Sequence, residues 1–124
     1  MLLVNRRSED TIASDVQLAV TRAERRRGLL GRDDLDRSAA LVLSPCWSIH
    51  TMFMRFPIDV VFVDRQGFAV KVVRDMKPWR IALAPAGRAV IEMPAGTLRW
   101  GQVMLGDRLY LAPAPATRPG AAPC

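Results

Sequence analysis

The run Ile58-Asp59-Val60-Val61-Phe62-Val63 constrains this chain most, because it is apolar on both of its alternating faces. In a strand, Ile58, Val60 and Phe62 share one face while Val61 and Val63 share the other, so a strand here must be covered on both sides. One residue breaks the pattern. Asp59 sits near the entrance of the run, on the Val61 face, and a carboxylate in such a setting needs hydrogen-bond donors or a chemical task. Just upstream, Cys46-Trp47-Ser48-Ile49-His50-Thr51-Met52-Phe53-Met54 places the only histidine in a second largely apolar stretch.

Further short runs read as strands: Leu2–Asn5, Val16–Val20, Leu41–Leu43, Ser48–Met54, Phe68–Arg74, Ala89–Met93 and Arg108–Leu111. Asp64-Arg65-Gln66-Gly67 reads as a hairpin turn and Leu105-Gly106-Asp107 as a second turn. Thr21 with Glu24 three positions later is a capping-box pattern, which starts a helix carrying Arg22, Arg25, Arg26 and Arg27. Gly31 is the expected terminator; Gly28, placed inside the helix, would cost about 1 kcal/mol against alanine and implies a close helix-to-sheet contact. The fold class that follows is β-rich, with a mainly antiparallel, curled or barrel-like sheet and one short early α-helix. Residues 1–112 form one compact domain in this reading, and residues 113–124, with four prolines among alanines and no periodicity, form a disordered tail.

With 124 residues, half of them hydrophobic, the chain can bury a core without disulfides or a structural metal. Two cysteines do not make a disulfide framework, and a buried free thiol at Cys46 suits a reducing compartment. No apolar run approaches the roughly 20 residues of a membrane helix. Met1-Leu2-Leu3-Val4 gives way at once to Asn5-Arg6-Arg7, too short for a secretory core, so a cytoplasmic location is expected. The net charge of +6 rests on 16 Arg against 2 Lys. Such a field attracts anionic partners, nucleic acid or membrane, although a merely solvated surface is the blander explanation. Arg25, Arg26 and Arg27 are anionic-ligand candidates, yet consecutive arginines fan around a helix and no aromatic stacking platform lies beside them, which disfavours nucleic-acid recognition.

Several motifs in order resemble the uncharacterised prokaryotic family named domain of unknown function 192. They are Arg26-Arg27-Gly28-Leu29-Leu30-Gly31-Arg32, then Ile49-His50-Thr51 with Met54, Pro57-Ile58-Asp59-Val60-Val61-Phe62-Val63-Asp64 with Gly67, Val90-Ile91-Glu92-Met93-Pro94-Ala95-Gly96, and Gly106-Asp107. The resemblance covers nearly all of the chain before its tail. It implies a small β-rich fold and no particular reaction. The commoner family form has tryptophan before the methionine and a longer Lys-Asn link to the aspartate; here Phe53 and Arg55-Phe56-Pro57 stand instead.

Three constellations of reactive residues deserve weighing. Cys46 and His50 would lie about 13 Å apart in an extended strand, far outside the reach of a nucleophile–base pair. A soft Cu(I) site from His50, Cys46 and methionines such as Met52, Met54, Met93 or Met104 is chemically reasonable, but strand methionines are usually core filler, and neither metal nor cofactor is expected. Asp59 and Glu92, both set in apolar strands, suit an acid/base pair or, more simply, acceptors for turn N–H groups or partners for Arg55 or Arg88. The favoured reading is a monomeric, non-catalytic binding or accessory module for a small molecule or protein, with His50, Thr51, Asp59 and Glu92 converging in one polar rim. The competing reading is a small hydrolase-like enzyme using His50 with Asp59 or Glu92.

Overall fold

The computed structural model describes residues 1–99 and 102–114. Its strands are β1 (Leu2–Asn5), β2 (Asp10–Ala13), β3 (Asp15–Ala19), β4 (Ala39–Leu43), β5 (Ser48–His50), β6 (Ile58–Val63), β7 (Ala69–Met76), β8 (Ile81–Leu83), β9 (Ala89–Pro94) and β10 (Leu109–Ala112), with one helix, α1 (Arg22–Arg27). The expected β-rich fold with a single short early helix is found, and its sheets do not close into a barrel.

A five-stranded sheet in the order β3-β4-β9-β6-β7 forms the middle of the fold. Its pairs are antiparallel except β3 with β4, which run parallel with α1 between them in the chain. All six residues of β6 are buried, as a run with two apolar faces requires. One face packs Val61, Val63, Ile91 and Val42 against Leu3, Ile12 and Leu109 of the sheet β10-β1-β2. The other packs Ile58, Val60, Phe62 and Val90 against Leu29 after α1 and against Ile49 and Ala82 of the two-stranded β5-β8 ribbon. Asn5, Asp107 and Arg7 tie β1 to the turn before β10: Asn5 Nδ2 donates to Asp107 Oδ2 at 2.9 Å and Arg7 Nε to Oδ1 at 2.8 Å. Those donors, Arg7 first, hold the Asp107 carboxyl down at about 2.

The local signals are borne out at two points. Thr21 accepts the Glu24 amide while the Glu24 carboxylate accepts the Thr21 amide, completing the capping box. The Asp64–Gly67 turn joins β6 to β7, with Gly67 at φ +91° and so close to β10 that a Cβ there would stand 2.5 Å from the Leu109 carbonyl oxygen.

Elsewhere the expectations need correction. Helix α1 ends at Gly28, not Gly31; Gly28 takes φ +48° and donates to the Glu24 carbonyl, so it is the cap and not an interior residue. The strand expected over 48–54 stops at His50, because Met54 N donates to Thr51 O and Phe53 adopts φ +66°, a turn that breaks extended pairing. Strands β2 and β8 were not expected; with four and three residues they are too short to show a period. The proline- and alanine-rich stretch from 115 onward lies outside the described residues.

Candidate functional site

Register decides where the polar residues go. Asp59 pairs with Met93, and Val60 pairs with Glu92, so the two carboxylates leave the central sheet on opposite faces. The expected convergence of His50, Thr51, Asp59 and Glu92 in one network therefore does not occur.

Asp59 is a structural clamp. Its Oδ1 accepts the Asp75 amide at 2.8 Å, and its Oδ2 accepts the amides of Gly96 at 3.0 Å and Leu98 at 2.8 Å. The Asp75 amide belongs to the irregular stretch of β7 where the register against β6 shifts between Ile58 and Val60. A buried carboxylate thus satisfies free N–H groups of a bulge and a turn at once.

Thr51 is a second clamp, fully buried beyond the end of β5. Its hydroxyl donates to the Lys77 carbonyl at 2.6 Å and accepts the Arg80 amide at 2.9 Å, so it fixes the loop leading into β8. Neither Thr51 nor Asp59 lines the pocket that holds the other two residues of the expected group.

That pocket, about 340 Å³, lies between α1 and β5. Glu92 and His50 line it with Cys46, Ser48, Met54 and four arginines, Arg22, Arg25, Arg26 and Arg27. All four arginines are among the lining residues, with Arg22, Arg26 and Arg27 exposed and Arg25 Nη1 donating to the Val20 carbonyl. Helix α1 has under two turns, and Leu29 just after it is buried in the core beside the pocket.

Glu92 is the sole acidic residue of the lining. It is 4% exposed, and burial pushes its carboxyl up to about 7, with no donor among the described residues offsetting that cost. Near neutrality, much of it is a neutral acid able to donate an O–H. His50 Nδ1 accepts the Met52 amide at 3.2 Å, which leaves Nε2 as the ring's other polar atom.

Cys46 Sγ donates to the Ser48 carbonyl at 3.2 Å, and burial, the largest cause, raises its thiol pKa. Each member of the supposed Cys–His dyad is thus engaged with its own neighbourhood. Cys46 is expected to react slowly with a thiol reagent in native protein at neutral pH. Rapid modification before unfolding would show an activated thiolate and overturn that expectation.

No local signal announces that the arginine helix and Glu92 line one pocket, since 65 or more positions separate them and the β3–β4 and β4–β9 pairings bring them together.

A family model described as an uncharacterized ACR, DUF192, matches residues 3–111. The chain belongs to that family. Among DUF192 relatives, a UPF0127 protein of Thermococcus sibiricus is 28% identical over 113 residues, covering 87% of this chain and 73% of that one. A UPF0127 protein of Pyrococcus horikoshii is 41% identical over 63 residues, which is 50% of this chain and 54% of the relative. Two solved structures share the fold. One is a protein of unknown function from Novosphingobium aromaticivorans, with TM-score 0.70 and 21% identity, covering 77% of this chain and 74% of that chain. The other is described as a putative transcription regulator from Sinorhizobium meliloti, with TM-score 0.75 and 23% identity, covering 88% and 89%. Among the described residues no helix is long and apolar enough to cross a membrane.

Proposed function

We propose that this DUF192 protein is a non-catalytic binding module that takes a small anionic ligand in the pocket between α1 and β5, acting as a monomer. The observation that carries this reading is Glu92, whose carboxyl is pushed up to about 7 by burial with no hydrogen-bond donor among the described residues, in a pocket whose lining also includes Arg22, Arg25, Arg26 and Arg27. Guanidinium groups are matched donors for carboxylate or phosphate oxygens, and a neutral Glu92 adds an O–H that a carboxylate could not supply. His50 and Ser48 offer further polar atoms at the rim.

The chemistry of the lining favours binding over hydrolysis. Both Asp59 oxygens are committed to backbone amides on the far face of the sheet, so a His50–Asp59 pair has no support. The Cys46 thiol is held protonated. A Cu(I) site gathering Cys46, His50 and Met54 would share its pocket with the arginines of α1, and Met93 lies on the Asp59 face.

Calorimetric titration with inorganic phosphate and with citrate, at constant ionic strength, tests the proposal. One of them is expected to bind saturably at one site per chain. Arg26→Ser with Arg27→Ser should weaken binding at least about tenfold, whereas Arg6→Ser with Arg65→Ser should not. Affinity should also fall as pH rises through about 7, because the ionised Glu92 repels the ligand. No saturable binding of either anion, or equal loss in both arginine pairs, would sink the reading.

A further inference from the structure

The outward face of the β5-β8 ribbon carries a second surface feature. Phe53, Trp79 and Ile81 are 71%, 56% and 63% exposed, and Leu83 continues the outward row of β8. Pairing explains the line-up: Ile49 and Ala82 face the core opposite one another, so Ile81 and Leu83 must face out. Phe53 and Trp79 pack on each other with ring centroids 4.6 Å apart. Both adopt left-handed backbone, φ +66° and +67°, a conformation that bulky residues rarely take. The fold thus sets two aromatic rings outward at a cost in backbone strain, and such strain concentrates where surfaces do work.

We infer that this aromatic face docks on an anionic bilayer surface. Tryptophan and phenylalanine beside cations are the side chains that suit the boundary between headgroups and acyl chains. Lys71, Lys77 and Arg80 line the hollow next to Ile81, with Asp75 the only acidic residue there, its carboxylate 3.8 Å from the Lys77 ammonium. On the other flank, Ser48 and His50 of β5 line the same pocket as the arginines of α1. Basic residues near an anionic leaflet are drawn to it, and the chain as a whole carries +6. A second copy fits less well, because pairing this face with itself would bring like charges together. The inference stands apart from the identity of the pocket ligand.

Cosedimentation of the full chain with vesicles of phosphatidylcholine, alone or mixed with phosphatidylglycerol, tests it. Binding is expected to the mixed vesicles only, and added salt should weaken it. Phe53→Gly with Trp79→Gly keeps the left-handed turns, since glycine accepts that backbone freely, and should reduce partitioning at least about tenfold. Ile81→Asp, a single surface change, should do the same. Both variants should retain phosphate or citrate titration, which separates failure of this face from failure of the pocket. Absence of binding by the unaltered chain, undiminished binding by both variants, or a patch whose loss changes only self-association in sedimentation velocity would overturn the inference.

Discussion

Asp59→Ala is expected to destabilise the protein by roughly 3–5 kcal/mol, because it removes the acceptor of three backbone amides. Each buried N–H left unpaired costs about 1–3 kcal/mol, and the side chain sits at 1% exposure, so water does not readily take its place. The loss should appear as a lower midpoint in urea with a similar slope. Asp59→Asn should recover only part of the deficit, since its amide nitrogen would face at least one of the same donors. A stability within about 1 kcal/mol of the parent for Asp59→Ala would show that the β7 bulge and the 96–98 turn hold themselves without it.

A second large effect should be pH-dependent and opposite in direction. The folded-state pKa of Glu92, about 7, lies above its ordinary value of 4.5, so between those values the folded chain holds more protons than the unfolded one. Stability is then greatest at the acid end of this window, falls as pH rises past 4.5, and has lost its full share, about 3 kcal/mol, above 7. Glu92→Gln removes the titration. It should match the parent near pH 4.5 and exceed its stability at pH 8 by about 2–3 kcal/mol. The Asp107 contribution disappears only as pH drops from 3.8 toward about 2, outside this window. Parallel pH profiles for parent and variant would mean that Glu92 is solvated or already paired. Glu92 thus weakens the fold at neutral pH while lining the same pocket as the arginines of α1.

Legibility in the sequence followed the range of the interactions involved. The double apolar face of Ile58–Val63, the Thr21–Glu24 box and the Asp64–Gly67 turn are set by residues within a few positions of one another, and each is present as read. Asp59 could be recognised as a buried carboxylate needing turn amides, but which turn was not visible, because Gly96 and Leu98 lie 37 and 39 positions away. The separation of Asp59 from Glu92 depends on one step of register between β6 and β9. No periodicity within either strand carries that step. That the arginines of α1 share a pocket with Glu92 was hidden for a related reason: the β3–β4 and β4–β9 pairings that join them link segments far apart in sequence.

The one-step offset between Asp59 and Glu92 also bears on how this chain can be altered. Inserting or deleting a single residue near the start of β6 would turn the Asp59 carboxylate from the clamp side toward the pocket and leave the Asp75, Gly96 and Leu98 amides empty. Length changes there are closed to drift and to engineering alike. Substitution of Glu92, on the other face of the sheet, touches none of the three clamp bonds, so one face can change while its reverse stays fixed.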